Sequence, residues 1–159
     1  MEFLWSPWRY TYMASAGEKT SSCVFCIAEA PNEDPQRLIL HRGVHTFIIL
    51  NLFPYTSGHL MIAPYAHISS PTLAPIEQTT EMMELAKRAM TAISGEYHPE
   101  GFNLGMNLGH VAGAGVRDHY HLHVVPRWAG DANFMTITGE TRVLPEELQT
   151  TYARLKRRF

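Results

Sequence analysis

The fold is decided by ten residues towards the end of the chain: His119-Tyr120-His121-Leu122-His123-Val124-Val125-Pro126-Arg127-Trp128. Successive side chains of a β-strand point to opposite faces, so the three histidines share one face. The apolar side chains that alternate with them share the other face, which is the kind of surface that a sheet buries against a helix. We therefore predict a strand over residues 119–127 whose histidine face borders a cleft.

The spacing of the three histidines limits what they can do together. At the rise of a β-strand, the Cα atoms of His119 and His123 are about 13–14 Å apart, so one metal ion does not easily take all three side chains. Two neighbouring histidines could share a metal, as such pairs do in some zinc enzymes. Otherwise each histidine has its own function along a groove.

Length and composition narrow the class of protein. A chain of 159 residues, 45% hydrophobic and 18% charged, fits one globular domain. A net charge of -2 disfavours non-specific nucleic-acid binding, which normally needs a basic protein. No run approaches the length of a signal segment or a membrane span, so we expect no membrane partner. Two cysteines in one CxxC pair fit a reducing compartment, and we expect a cytoplasmic protein.

The pattern of apolar and turn residues predicts an α+β domain with an antiparallel sheet. We expect an aromatic-rich lead over 1–22, the main domain over 23–135 and a strand and helix extension over 136–159 that packs on the same domain. The expected strands are 38–41, 46–50, 59–64, 102–107 and 119–127, with a short one over 136–143, and the expected helices are 75–97 and 148–159. An apolar stripe should bury the first helix, through Ile76, Met83, Ala86, Met90 and Ile93.

A glycine-containing loop over 109–118 lies directly before the histidine strand. Most loops of this kind are only turns, but glycine exposes backbone N–H groups to which a phosphate can come close. A neutral imidazole next to such a loop could attack phosphorus, because the pKa of histidine leaves the ring largely neutral at pH 7. The sequence therefore favours phosphate chemistry on the histidine face.

The segment HYHLHVVPRW resembles the signature of the histidine triad superfamily. Further similarity covers most of the chain, in FLWSPWR, in ILNLFP through SGHLMIAP, in the PYAH segment and in TRVLPEEL. The run GFNLGMNLGHVAGAGVRDHYHLHVVPRWAGDANFM is especially similar to bacterial diadenosine tetraphosphate phosphorylases, also called ATP adenylyltransferases. The resemblance implies a five-stranded antiparallel sheet and a homodimer in which two sheets join into one of ten strands.

The resemblance also implies roles for particular residues. His121 would attack the α-phosphorus of a dinucleoside polyphosphate and form an adenylyl-histidine, while His123 would help the leaving group to depart. The resemblance implies that Asn51 binds the ribose and that Asn107 and the loop residues Gly113, Gly115 and Val116 bind the α-phosphate. It also implies that His59 is an orienting group beside the pocket and that Trp128 is a stacking or packing residue. Phosphate as the second acceptor would yield ATP and ADP, whereas water would yield ATP and AMP.

The pair Cys23 and Cys26 has the spacing of zinc ligands but supplies only two of four. Relatives with this pair complete the site with histidines that correspond to His67 and His119, which implies a structural Zn²⁺. A reduced dithiol, a redox pair and an empty site are the alternatives. If zinc is absent, His119 would orient His121 by a hydrogen bond.

Several functions remain open at this point. The alternatives to a phosphorylase are a hydrolase of dinucleoside polyphosphates or nucleoside phosphoramidates, a nucleotide-binding regulatory module without turnover, and a zinc hydrolase that uses a histidine pair as open-site ligands. Mg²⁺ could accompany the phosphates of the substrate, although no acidic cluster that would bind it stands out.

Overall fold

A computed structural model describes residues 23–26, 33–131 and 146–159 of the chain. Its strands are β1 (Ile39–Arg42), β2 (Thr46–Leu50), β3 (Leu60–Pro64), β4 (Gly101–Gly105) and β5 (Leu122–Arg127), and its helices are α1 (Asp34–Arg37), α2 (Ile76–Tyr97) and α3 (Leu148–Lys156). Two short 3-10 turns lie at Pro71–Leu73 and His110–Ala112. Within these residues, no helix has both the length and the apolar character needed to cross a membrane.

The five strands form one antiparallel sheet in the order β1-β2-β3-β5-β4. The pairing of β3 with β5 places Met61 opposite His123 and Leu60 opposite Val124. The predicted α+β class with an antiparallel sheet is therefore confirmed. The register brings the chain just before β3 next to the histidine strand.

The helix α2 lies against the face of the sheet that carries Tyr120, Leu122 and Val124. These three residues belong to one buried cluster with Met82 and Ile93 of the helix. The apolar face predicted for the histidine segment is thus the face that packs on a helix. A smaller apolar cluster, which includes Phe25, lies elsewhere in the domain.

The apolar stripe predicted for α2 was partly wrong. Ile76 is 72% exposed and Met83 is 51% exposed, and Met90 is only partly buried, whereas Met82 is almost fully buried. The buried side chains of this helix are Gln78, Met82, Leu85, Ala86, Ala89, Ala92 and Ile93. The helix therefore turns small alanines towards the sheet, and the stripe predicted from helical spacing placed the wrong methionine inside.

The predicted strand over 119–127 begins only at Leu122. The backbone N–H of Tyr120 donates to the carbonyl of Ile68 at 2.8 Å, so it bonds a loop and not a neighbouring strand. The last helix ends at Lys156, short of the predicted end at residue 159. The lead over 1–22 and the strand expected over 136–143 lie outside the described residues, and the division of the chain at 23 and 135 stays a prediction.

Candidate active site

A pocket of about 440 Å³ opens beside the histidine segment. Its wall is apolar at Phe25, Leu38 and Ile49, and it is polar where His121 and His123 reach it. Leu38 follows the short helix α1 in a left-handed conformation, with φ at 61°, and enters the wall from there. A cavity of this size with a mixed lining is typical of a small-molecule site.

Backbone contacts fix the ring of His121. The side chain is only 5% exposed, and its Nδ1 lies 3.0 Å from the carbonyl oxygen of His119. A carbonyl can only accept a hydrogen bond, so Nδ1 carries the proton and donates. The Nε2 atom of His121 is then the unprotonated nitrogen, and a lone pair at that position is what a nucleophile needs.

The ring of His123 is held in the opposite tautomer by a chain of three groups. The backbone N–H of Tyr55 donates to His59 Nδ1 at 3.1 Å, so the proton of His59 is on Nε2. That atom lies 3.0 Å from Nδ1 of His123. His59 therefore donates, His123 accepts at Nδ1, and the proton of His123 is on Nε2. The site thus holds one imidazole with a free Nε2 and one with an Nε2–H donor.

Burial keeps both rings neutral. It lowers the pKa of His121, against the opposing effect of the hydrogen bond to the carbonyl of His119. Burial and the neighbouring His121 lower the pKa of His123 to about 4. Neutral imidazoles near pH 7 are the forms that a nucleophile and a neutral hydrogen-bond donor require.

Sequence analysis missed Phe25, which lies between the two cysteines. Its ring centroid is 4.9 Å from that of His121 and 5.2 Å from that of His119, and its side chain is 2% exposed. Phe25 therefore packs on His121 from the segment that carries Cys23 and Cys26. An aromatic residue inside a metal-binding spacing is the signal that could have identified it.

Four side chains converge next to the active-site histidines, namely Cys23, Cys26, His67 and His119, and their ligand atoms all lie within 4.8 Å of one another. The Sγ of Cys23 is 3.4 Å from Nδ1 of His119, and the Sγ of Cys26 is 3.2 Å from Nδ1 of His67. With Zn–S near 2.3 Å and Zn–N near 2.0 Å, ligand atoms around a tetrahedral ion are spaced in this way.

The tautomer of His119 supports the fit of a metal. Its Nε2 lies 2.8 Å from the carbonyl oxygen of Pro64 and must donate there, which leaves the Nδ1 lone pair facing the two thiols. A backbone carbonyl that orients a ligating histidine is a common feature of zinc sites. The donor set of two sulfurs and two imidazoles is therefore arranged for a zinc ion.

The pocket gathers most of the predicted substrate residues. Those in its lining are Asn51, Asn107, Gly113, Gly115 and Val116, together with His121 and His123. His59 is fully buried behind the wall, and His119 belongs to the cysteine cluster. Trp128 is not part of the lining, so its place at the substrate stays a prediction. The pocket also includes Tyr55, His110 and Arg117, for which the sequence predicted no role at the site.

Three features together define a histidine triad protein. They are the antiparallel five-stranded sheet, the alternating histidines at a partly apolar and partly polar pocket, and the adjoining site of two cysteines and two histidines. A family model of the HIT domain matches residues 32–130. The chain therefore belongs to the HIT family.

Two curated relatives place the chain within this family. It is 39% identical over 157 residues to the AP-4-A phosphorylase of Mycobacterium tuberculosis strain H37Rv. This match covers 95% of this chain and 80% of that protein. It is 27% identical over 140 residues to Protein hit of Bacillus subtilis, covering 87% of this chain and 94% of that protein. The similarity to the AP-4-A phosphorylase supports the interpretation of this chain as an enzyme.

Solved structures agree with the fold. A zinc-bound histidine triad family protein of Mycobacterium smegmatis superposes with a TM-score of 0.67 at 26% identity, covering 88% of this chain and 94% of that one. A hypothetical histidine triad nucleotide-binding protein of Sulfolobus tokodaii superposes with a TM-score of 0.66 at 22% identity, covering 86% of this chain and 91% of that one. The second likeness is one of fold alone.

Proposed function

We propose that this protein transfers an adenylyl group from diadenosine tetraphosphate to inorganic phosphate and so yields ATP and ADP. The observation that carries the proposal is the pair of opposite tautomers at the pocket. The hydrogen bond to the carbonyl of His119 leaves Nε2 of His121 free to attack, and the chain from Tyr55 through His59 makes Nε2–H of His123 a donor.

In the first step, Nε2 of His121 attacks the α-phosphorus. The new N–P bond forms while the bond from that phosphorus to its bridging oxygen breaks, and ATP leaves with the electron pair. The Nε2–H of His123 hydrogen-bonds the departing oxygen, where charge develops. In the second step, an oxygen of phosphate attacks the same phosphorus. The N–P bond then breaks, its electron pair returns to His121, and ADP is released.

The rest of the lining suits the nucleotide. The backbone N–H groups of Gly113, Gly115 and Val116, with the side chain of Asn107, would hold the α-phosphate. Asn51 would bind the ribose, and Phe25, Leu38 and Ile49 provide apolar contacts for the base. No Asp or Glu lies among the described residues of the lining, so any Mg²⁺ would be held by the phosphates of the substrate.

The cysteine cluster would hold a structural Zn²⁺, with Cys23, Cys26, His67 and His119 as ligands. Four protein ligands leave no open coordination position, so the ion would supply no chemistry of its own. It would instead hold the segment that contains Phe25 against the histidine segment. Because the sequence has only two cysteines, in one CxxC pair, we propose a reducing cytoplasm as the compartment.

A homodimer is the assembly that we propose. The strand β4 is an edge of the sheet, and Leu104 on it is 39% exposed. Joining two such edges would give the ten-stranded sheet implied by the family resemblance, and would cover exposed main-chain groups. We expect no nucleic-acid or membrane partner.

Products distinguish the phosphorylase from a hydrolase or a binding module. Diadenosine tetraphosphate is incubated with the protein with and without phosphate, and the nucleotides are separated by chromatography. We expect ADP and ATP in equal amounts with phosphate, and almost no turnover without it. AMP and ATP formed regardless of phosphate would show a hydrolase, and binding without turnover would show a regulatory module.

A further inference from the structure

Apart from the phenol of Tyr55, the ionisable side chains that line the pocket in the described part of the chain are basic. In the part of the chain that the structure describes, the lining holds Arg37, Arg117 and three histidines but no carboxylate. Arg37 is paired with Glu33, whose Oε2 accepts from its Nε at 2.6 Å. Arg117 is the cation of the lining that remains for a ligand.

Arg117 differs from most other arginines of the described residues. Acceptors within the chain bind the side chains of Arg37, Arg42, Arg88, Arg127, Arg154 and Arg158. Arg117 is exposed and makes neither an ion pair nor a hydrogen bond with the described part of the chain. The same is true of Arg157, but Arg157 lies at the end of α3 and outside the pocket. An unpaired guanidinium in a pocket wall is suited to a phosphate, which it can bind with two parallel hydrogen bonds.

The chain places this cation beside the phosphate chemistry. Arg117 directly follows the loop of Gly113, Gly115 and Val116, and it precedes His121 by four residues. All of these residues belong to the lining of the pocket. In a double displacement the departing and the entering oxygens occupy the same side of phosphorus, opposite the attacking nitrogen. One cation on that side can therefore serve both steps.

We propose that Arg117 binds the phosphate-bearing reactant that lies on the far side of the α-phosphorus from His121. This reactant is the departing polyphosphate in the first step and inorganic phosphate in the second. The part of this inference that concerns inorganic phosphate rests on the proposed function. It makes Arg117 a specificity-determining residue that favours anionic leaving groups and an anionic acceptor. Arg117 takes no part in bond making and acts through charge and hydrogen bonds alone.

The test compares Arg117→Ala and Arg117→Lys with Arg157→Ala, a matched control that removes an unpaired arginine outside the pocket. Titration calorimetry measures the affinities of wild type and variants for AMP and for ATP in one buffer. Because the lost contact is a charge-assisted one, we expect Arg117→Ala to weaken ATP binding by about 10- to 100-fold. AMP binding should change by less than about threefold, Arg117→Lys should recover part of the loss, and Arg157→Ala should match wild type.

A kinetic arm separates the two sources of phosphate. ADP formation from diadenosine tetraphosphate is followed at varied phosphate, and the KM for phosphate should rise by about 10- to 100-fold in Arg117→Ala. A change in this KM alone supports the acceptor role, and a change in ATP affinity alone supports the leaving-group role. Equal losses for AMP and ATP with an unchanged KM, or no change in either arm, would overturn the proposal. A wild type that binds nucleotides but does not form ADP would refute the proposed function, while the calorimetric arm would still decide the role of Arg117 at a polyphosphate.

Discussion

The Nε2 atom of His59 lies 3.0 Å from the Nδ1 atom of His123. This contact joins the buried ring of His59, directly before β3, to the half-buried ring of His123 in β5. The backbone N–H of Tyr55 on the far side of His59 fixes its direction. The donor state of His123 is thus determined by the peptide group of Tyr55, which acts through the ring of His59.

We predict that nitrogen-15 NMR will find His123 protonated at Nε2 and His121 protonated at Nδ1 at pH 7. His59→Ala should slow adenylylation by about 10- to 100-fold because the tautomer of His123 is no longer fixed. The matched control is His45→Ala, which removes an exposed histidine outside the pocket. A His123 protonated at Nδ1 in wild type would contradict this account of the site.

Acid should destabilise the fold partly through His123. Burial lowers its pKa in the folded protein to about 4, whereas the unfolded chain takes up a proton near pH 6.5. The unfolded state then binds more protons between these values, so the free energy of unfolding falls as the pH drops through this window.

Urea unfolding at pH 7 and pH 5 measures the effect in wild type and in His123→Gln. We expect the variant to lose about 1–2 kcal/mol less than wild type over this range. The acid sensitivity of a bound metal affects both proteins and cancels in the difference. Equal losses in the two proteins would show that His123 does not keep a lowered pKa.

Purified protein should contain about one zinc ion per chain, measured by mass spectrometry of the metal. Cys26→Ser should lose most of the zinc and lower the melting temperature by about 5–15 °C, because the ion joins two segments that are far apart in the chain. His45→Ala should keep both the zinc and the melting temperature. Wild-type protein prepared without chelators that holds no zinc would refute the metal site.

Glu81 anchors the turn between β1 and β2. Its carboxylate accepts hydrogen bonds from the backbone N–H groups of Val44, His45 and Thr46, each at 2.7 Å. Burial opposes its ionisation, but these donors outweigh burial and hold the pKa of Glu81 below its usual value.

Replacing this carboxylate should cost stability and leave the chemistry intact. We predict that Glu81→Ala lowers the free energy of unfolding by about 1–3 kcal/mol, since three N–H groups lose a charged acceptor. Glu84→Ala on the same helix breaks only an exposed pair with Lys87 and should cost less than about 0.5 kcal/mol. Urea unfolding compares the two variants, and equal effects would contradict the anchoring role.

The sequence predicted the sheet because alternation is a local property. Tyr120, Leu122 and Val124 had to share a face wherever the strand was placed, and the structure buries that face. The helix stripe failed because Met82 and Met83 are adjacent in sequence, and only the packing of α2 on the sheet decides which one is buried.

The parts of the site that escaped prediction depend on contacts between distant segments. The distance from His59 to His123 follows from the pairing of β3 with β5, and no spacing along the chain encodes it. Phe25 contacts His121 only because the cysteine segment folds back onto the histidine segment. Arg117 differs from most other arginines only through the acceptors that the fold brings to them, and these contacts cannot be read from the sequence.

Trapping the intermediate tests the central claim most directly. Wild-type protein is mixed with diadenosine tetraphosphate without phosphate, denatured, and analysed by peptide mass spectrometry for an added adenylyl group. We predict one adenylyl group on His121 that is released as ADP when phosphate is added before denaturation, and no adduct in His121→Asn. An adduct on another residue, or an His121→Asn variant that still forms ADP at the wild-type rate, would contradict the account.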